Sequence, residues 1–421
     1  MSEFKTKIAT LILALFMVVC VVSCDSSDDD DDSIMPAPTT INISSLLATT
    51  GNSSSFGESC WAAIQLAEDD INEWMVGEND QWSVNINLVD TQGSTESALA
   101  ALENLANGEN IVIGPTTSAE ADYIREYATD NDILLVSPSS VAISIALPED
   151  NLFRFVTNDT YQAKAMTAML LDDTMDVIIP LSRDDVWGND LLGATTLEFA
   201  MSGGIVLEGV KYDPATDDFA STLETFNGIV EAAIAQYPQM KIGIYALTFG
   251  EITSIFEEVA NIQTLLDLDW YGSSAAAKNA SLATNAVAAE VATIVGFPCS
   301  TYGDNDSPEF EALKTRLETA LGREAESYAF AAYDAAWVAA KSYFELGNDS
   351  PEFADLKAKF SEISETYVGV TGPVILNDAG DRQYGNYDFW QIRADGEAFE
   401  WYKAARYEID PDTFEGTLRR Y

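Results

Sequence analysis

The sequence predicts an α/β protein with two Rossmann-like lobes built on parallel sheets. The clearest evidence lies in residues 111–141, where two short apolar runs, 111–113 and 133–136, flank a helical segment. A strand, a helix and a second strand in this order favour a parallel pair with a right-handed crossover. A chain of 421 residues also exceeds what one hydrophobic core usually organises, so two domains are expected.

Hydroxyl side chains follow both strands of this unit. Ser118 opens the helix after the first strand, and Ser139 and Ser140 follow the second strand, just before Val141. Ligands bind beyond the carboxyl ends of parallel strands, so these loops are predicted to converge on one point. A helix N-terminus at that point suits a small anionic group such as a carboxylate. Capping of the helix is the alternative role of Ser118, and capping does not exclude ligand contact.

The first 38 residues predict export and membrane anchoring. Residues 1–23 carry Lys5 and Lys7 near their start and contain an apolar run that is typical of a signal peptide and short for a membrane span. Val21-Val22-Ser23-Cys24 resembles a lipoprotein signal box, which makes Cys24 the predicted lipidation site; an ordinary cleaved signal is the alternative. Residues 24–38 contain the acidic run 28–32, which predicts a solvated tether and resembles the export tags of surface lipoproteins. The predicted location is outside the cytoplasm, lipid-anchored to the cell envelope on its periplasmic face or outer-membrane surface.

Charge and composition exclude several classes of function. A formal net charge of −48 makes nucleic acid binding very unfavourable. The sequence contains no histidine, which removes Ser-His-Asp and Cys-His catalysis and histidine-bearing metal sites. No motif places two carboxylates together for acid–base work, so no enzymatic activity, metal or cofactor is predicted. Cys60 and Cys299 could form a disulfide in an oxidising compartment or remain two buried thiols.

Strand and helix patterns continue along most of the chain. Trp61, Ile64, Ala67, Ile71 and Trp74 recur at steps of three and four, which predicts a helix with one apolar face. A serine cap followed by proline predicts another helix from Ser307. Strands are expected at residues 41–47, 82–88, 175–181, 205–210, 241–247, 291–299, 386–392 and 399–402, whereas residues after 410 show no clear pattern.

Two further motifs give the sequence a family resemblance. Residues 326–337, Glu-Ser-Tyr-Ala-Phe-Ala-Ala-Tyr-Asp-Ala-Ala-Trp, and residues 367–382, a glycine-punctuated segment ending in Gly-Asp-Arg, resemble the type I periplasmic binding proteins. The resemblance is to the branched-chain amino acid and amide binders and the related receptor ligand-binding domains, and it covers most of residues 39–403. It implies two lobes joined by a three-crossing hinge. Lobe 1 would hold residues 39–157 and 299–366, and lobe 2 residues 158–298 and 367–421.

The same resemblance implies polar ligand contacts at four positions. Ser139 and Val141 match family positions where a backbone carbonyl and a threonine hydroxyl hold an amino acid. Val141 lacks that hydroxyl, and Ser140 is a substitute for it. Ser274 stands close to where amino acid binders carry an acidic residue for the ligand's ammonium group. Because an unpaired ammonium in a desolvated cleft is costly, a neutral, amide or carboxylate ligand gains support.

Four aromatic residues complete the implied site. Phe56 corresponds to an aromatic that covers the ligand from lobe 1, and Tyr328 starts the long helix at a point that could reach the cleft. Trp187 and Phe249 are expected to close over the ligand from lobe 2. Each has a plain packing role as its alternative, such as a hydrophobic staple at Phe56.

The resemblance implies a monomeric solute-binding lipoprotein. It would capture a small polar ligand (amino-acid-like, amide or carboxylate) by hinge closure and pass it to an ABC-type membrane permease. Contact with the membrane would be through the lipid anchor only. A surface-exposed or sensory ligand-binding protein without an importer is the alternative, and the acidic run after Cys24 favours it somewhat.

Overall fold

The computed structural model describes residues 39–78, 81–105, 109–396 and 398–421. The predicted signal peptide, Cys24 and the acidic tether lie outside these residues. Within them, no helix has the length and apolar character needed to cross a bilayer.

The first sheet has five strands, all parallel, in the order β2-β1-β3-β4-β5. Successive side chains of a strand point to opposite faces, and helices cover both faces of this sheet. Ile111 and Ile113 of β3 pack in the large core with the residues of α1 and α12, whereas Val112 packs with α2 and α3. The strands are β1 Thr39–Leu47, β2 Trp82–Asp90, β3 Ile111–Ile113, β4 Leu134–Ser137 and β5 Leu152–Arg154; the helices of this part are α1 Ser54–Glu78, α2 Thr95–Glu103, α3 Ser118–Asp130, α11 Pro308–Leu321, α12 Tyr328–Leu346 and α13 Phe353–Thr366.

The second sheet has nine strands and is mixed rather than wholly parallel. Strands β6 to β11 pair in parallel, and β14, β15 and β16 extend the sheet in antiparallel fashion beyond β11. Its strands are β6 Val177–Arg183, β7 Ile205–Val206, β8 Val210–Tyr212, β9 Ile242–Leu247, β10 Asp269–Gly272, β11 Cys299–Tyr302, β14 Tyr387–Asp395, β15 Ala398–Ile409 and β16 Gly416–Arg420; its helices are α4 Thr160–Asp172, α5 Val186–Met201, α6 Ala220–Gln236, α7 Ile252–Val259, α8 Gln263–Leu266, α9 Ala280–Thr284 and α10 Ala286–Ile294.

One sequence prediction is wrong in residues 291–299. This stretch is the end of α10 followed by a turn, and the strand β11 begins only at Cys299. The Asn285 side chain caps α10 by accepting from the amide of Ala288, at 3.1 Å. Because β11 pairs with β10 and β14, residues 299–302 stand in the second sheet, not in the first lobe to which the sequence assigned them.

The chain passes between the two sheets three times. It does so between β5 and α4, between β11 and α11, and again through the short hairpin of β12 Val368–Gly369 and β13 Gly372–Pro373. A buried ion pair ties the first passage to the third, since Arg154 Nε and Nη2 each lie 2.5 Å from a carboxylate oxygen of Asp381. Asp381 of the Gly-Asp-Arg motif therefore links the third crossing to the first through this ion pair.

Candidate functional site

Loops from the carboxyl ends of strands in both sheets surround one small cavity. Eight of the nine predicted ligand-binding residues line it, and Ser140 does not. Its volume is about 20 Å³, which is about the room for one water molecule. The lining consists of Phe56, Thr116, Thr117, Ser118, Ser139, Val141, Trp187, Phe249, Ser274, Ala275 and Tyr328.

A network of hydroxyl and amide groups forms the first-lobe wall. The Ser118 hydroxyl accepts from the amides of Val141 and Ala142, at 3.0 and 3.1 Å. The Ser139 hydroxyl donates to the Thr116 carbonyl at 2.7 Å. These bonds lock the loop after β3 against the loop after β4. Because Ser118 accepts two bonds, its own hydroxyl hydrogen remains available to an acceptor in the cavity.

The helix α3 points its N-terminus at this wall. Its cap is a capping box in which the Thr117 hydroxyl accepts from the Glu120 amide, and the Glu120 carboxylate accepts from the Thr117 amide at 2.9 Å. The other first-turn amides, of residues 118 and 119, have no intrahelical acceptor. They add the partial positive charge of a helix N-terminus to the cavity.

Aromatic rings form most of the opposite wall. Asp185 caps α5 by accepting from the Gly188 amide at 2.8 Å, which fixes Trp187 in the first helical turn. The Trp187 ring lies 4.8 Å from the Phe249 ring, and Phe249 lies 6.0 Å from Phe56. The rings of the two lobes therefore meet inside the site and occupy most of its space.

Arg183 supports this aromatic wall from behind. Its guanidinium carbon lies 4.2 Å from the centre of the Phe249 ring, within cation–π range. Two carboxylates hold it there: Nη1 lies 2.6 Å from Glu251 and Nε 3.0 Å from Asp185. These partners raise the pKa of Arg183 despite its burial.

Ser274 and Tyr328 form the floor together with Gln162. The hydrogen-bond network orients the Gln162 amide so that its oxygen accepts from the Ser274 amide at 2.9 Å and its nitrogen donates to the Ser274 hydroxyl at 3.1 Å. Burial raises the pKa of Tyr328, and hydrogen bonding by Ser274 offsets this in part. The floor is thus polar but carries no exposed charge.

The structure departs from the predicted site at three places. Ser140 is fully buried outside the cavity, and its hydroxyl makes no hydrogen bond among the described residues, whereas its backbone amide donates to Ser137 Oγ at 2.9 Å. Cys60 and Cys299 are free buried thiols, so the possible disulfide is not formed. Thr116 and Thr117 line the cavity, although they are not among the predicted ligand-binding residues.

Hydrogen bonds across the mouth hold the lobes close together. The Gly250 amide donates to the Asn52 carbonyl at 3.0 Å, and the Ser144 amide donates to Asp190 at 2.7 Å. The Ala280 amide donates to the Ser55 hydroxyl at 3.2 Å, and that hydroxyl donates in turn to the Glu326 carboxylate. The bonds between Gly250 and Asn52, between Ser144 and Asp190, and between Ala280 and Ser55 each join the first lobe to the second, so the cleft is closed.

Glu326 should make stability at this contact depend on pH. Burial raises the pKa of Glu326 to about 7, while Ser55, Arg323 and Lys278 oppose the shift. A carboxyl whose pKa rises on folding stabilises the folded state fully below its unfolded value, and this contribution is lost as pH rises through the folded value. We expect the free energy of unfolding to fall by about 3 kcal/mol between pH 4.5 and pH 8 from this group.

Urea denaturation of wild type and Glu326→Gln at pH 5 and pH 8 measures that contribution. Glutamine does not titrate, so the variant should show the smaller loss of stability between the two pH values. Glu311→Gln, on an exposed residue of α11, is the control and should keep the wild-type dependence. Equal pH dependence in wild type and Glu326→Gln would contradict the assignment.

The fold and the site together define a two-lobed α/β ligand-binding protein. The chain belongs to the family described as the receptor family ligand binding region, whose model matches residues 59–395. An uncharacterized protein of Methanocaldococcus jannaschii is 26% identical over 373 residues, which cover 85% of this chain and 88% of that protein.

Solved structures show the same type I periplasmic binding protein fold. The leucine-binding protein LivK of Thermotoga maritima is 17% identical, with a TM-score of 0.69 over 88% of this chain and 99% of that one. An ABC transporter solute-binding protein of R. palustris, solved in complex with benzoate, is 16% identical, with a TM-score of 0.70 over 87% of this chain and 96% of that one. Two lobes joined by three crossings, as the sequence predicted, are confirmed.

Proposed function

We propose that the protein is an extracytoplasmic solute-binding protein that captures a small polar ligand between its lobes by hinge closure. The observation that carries this proposal is the small interlobe cavity in which hydroxyl groups of one lobe face aromatic rings of the other. Among the described residues that line it, none has a carboxylate, amine, imidazole or thiol. Such a lining suits binding and offers no general acid or base near neutral pH.

The first-lobe wall is suited to a ligand carboxylate. The free amides at the start of α3 and the hydroxyl hydrogen of Ser118 are donors on this wall, which suits an anionic group. The Ser139 hydroxyl already donates its hydrogen to the Thr116 carbonyl, so its oxygen can only accept a hydrogen bond from a ligand. A leucine-binding protein and a benzoate complex share the fold, and both named ligands carry a carboxylate.

Ligand entry requires movement of the second lobe. A cavity of about 20 Å³ is far below the 300–1,000 Å³ of ordinary small-molecule sites. Parting of the lobes would withdraw Trp187 and Phe249 together, since both rings belong to the second lobe. Closure would then return these rings over the ligand and remake the bonds at the mouth, which is the hinge mechanism of two-lobed binding proteins.

The proposed partner is an ABC-type membrane permease, with the protein anchored through lipid on Cys24. Neighbours of the same fold include ABC transporter solute-binding proteins, which supports this role. The alternative is a surface or sensory capture protein without an importer, favoured by the acidic run at residues 28–32. Protease accessibility on intact cells separates the two placements.

A thermal-shift panel tests the binding function. The panel holds branched-chain, aromatic and acidic amino acids, their amides, urea, short carboxylates and nucleobases. A ligand at one hundred times its dissociation constant should add about 2.7 kcal/mol of stability, which raises the melting temperature measurably.

The variant Trp187→Ala should weaken binding of any ligand found by about 30-fold, as loss of an enclosing tryptophan typically costs about 2 kcal/mol. Isothermal titration calorimetry measures this loss. Leu197→Ala, on an exposed position of the same helix, is the control. A panel in which no compound shifts the melting temperature would overturn the proposed function. Unchanged affinity in Trp187→Ala would overturn the proposed site.

A further inference from the structure

A groove beside the helices of the first lobe has the size of an ordinary ligand site. It lies between α11, α12 and the hairpin of β12 and β13, with Trp74 of α1 at one side. Its volume is about 690 Å³, within the roughly 300–1,000 Å³ of small-molecule sites. The described residues that line the groove are all different from those that line the interlobe cavity, so the two are separate places in the molecule.

Side chains of α12 form one wall of this groove. Tyr333, Trp337 and Lys341 follow one another at steps of four residues, so they lie on one face of the helix over about 12 Å. The Trp74 ring lies 5.7 Å from the Trp337 ring and extends this wall. Tyr367, just before the hairpin, adds a fourth aromatic side chain. Such rings offer flat apolar surfaces on which a planar ligand can stack.

Lys341 brings a charge to this wall that the described residues do not pair. Its Nζ lies 4.1 Å from the centre of the Trp74 ring and 5.8 Å from that of the Trp337 ring. Within the described part of the chain, its ammonium makes no hydrogen bond and no ion pair. The sequence has 69 acidic residues against 21 basic ones, so a shortage of carboxylates does not explain this. All three donors of the ammonium are therefore free to bind an acceptor in the groove.

The other charged groups of the groove do not compete for an anion. Arg316 is held by Asp70, whose two carboxylate oxygens lie 2.7 and 2.8 Å from its Nη1 and Nη2. The same carboxylate accepts from the Tyr333 hydroxyl at 2.8 Å. Glu309 is exposed at the start of α11, about 10 Å along that helix from Arg316. Among the described residues that line the groove, Lys341 is thus the cation without a carboxylate partner.

We propose that this groove is a second binding site, for a small aromatic carboxylate that stacks on the Trp337 ring and pairs with the Lys341 ammonium. The aromatic wall supplies stacking surface, and the unpaired ammonium supplies the charge-assisted hydrogen bond that fixes the carboxylate. This inference goes beyond the proposed function and does not depend on it.

The occupant of the groove would also touch the hinge. Residues 368–370 of the third crossing form another part of the lining. Asn305 of the second crossing lines the groove as well, and its side-chain amide donates to the Val370 carbonyl at 2.9 Å. Two of the three crossings therefore meet at this site.

Fluorine NMR of the whole protein labelled with 5-fluorotryptophan tests the location, with 2-naphthoate as the probe. The chain has eight tryptophans, and Trp74→Phe, Trp337→Phe and Trp187→Phe identify the three resonances that matter. We expect the Trp74 and Trp337 resonances to shift together, with a dissociation constant below about 1 mM. A shift of Trp187 alone would place the probe in the interlobe cleft and overturn the inference, as would no shift at any tryptophan. The proposed function is tested separately, by the thermal-shift panel.

The role of the charge is tested with 2-naphthamide, which has nearly the same shape and no charge. Wild type should bind it at least about fivefold more weakly than 2-naphthoate. Lys341→Met keeps the apolar part of the side chain and removes the ammonium, so it should lose this preference. Lys164→Met is the matched control, since this lysine of α4 also lies over a ring, that of Tyr161 at 5.7 Å, but outside the groove. Equal binding of the two probes by wild type, or a wild-type preference in Lys341→Met, would overturn the inference.

Discussion

Replacing Asp381 with alanine is expected to lower the free energy of unfolding by about 3–5 kcal/mol. The partner, Arg154, is fully buried, and two of its nitrogens lie 2.5 Å from the Asp381 oxygens. Removing the carboxylate leaves a guanidinium charge inside the protein with the Ala142 carbonyl, at 2.6 Å, as its one remaining hydrogen-bond acceptor among the described residues. The Asn158 side chain also loses an acceptor, at 3.2 Å.

Urea denaturation measures this effect, and Asp378→Ala is the matched control. Asp378 is an exposed aspartate in the same turn, so its replacement should change stability by less than about 0.5 kcal/mol. Equal denaturation midpoints for the two variants would show that the ion pair does not hold the crossings together. Because the pair joins the first and third crossings, Asp381→Ala should also broaden the distribution of lobe angles measured by small-angle scattering.

The convergence of the two loops of the first lobe could be predicted from the sequence because it depends on local rules. Parallel strands place their carboxyl ends at one edge, so hydroxyl groups just after β3 and β4 had to meet there. Ser118 and Ser139 line the cavity for this reason. The aromatic residues were predicted by family resemblance, and their ring contacts depend on how closely the lobes approach.

Contacts between distant parts of the chain were beyond prediction. Asp159 and Ser274 are 115 positions apart in sequence, and only the folded arrangement of α4 and β10 places Gln162 between them. The strand predicted at 291–299 failed for another reason: a short apolar run fits a buried helix as well as a strand, and the Asn285 cap decided in favour of the helix.

The Ser118 hydroxyl contributes both to the fold and to ligand binding, so Ser118→Ala should affect both. The sequence alone indicates a helix cap or a ligand contact for this residue. The structure shows that its oxygen accepts from the buried amides of Val141 and Ala142. Leaving these amides unpaired should cost about 1–3 kcal/mol of stability.

Ligand affinity should fall as well, by about 10-fold, since one hydrogen bond to a charged carboxylate contributes about 1.5 kcal/mol or more. Calorimetry and urea denaturation of the same samples measure the two losses. Ser140→Ala is the matched control, because this neighbouring hydroxyl is buried, unbonded and outside the cavity. Ser140→Ala should lower neither the ligand affinity nor the free energy of unfolding. If Ser118→Ala lost stability but kept its affinity, the hydroxyl would only brace the two loops, and the carboxylate would have to bind elsewhere in the cleft.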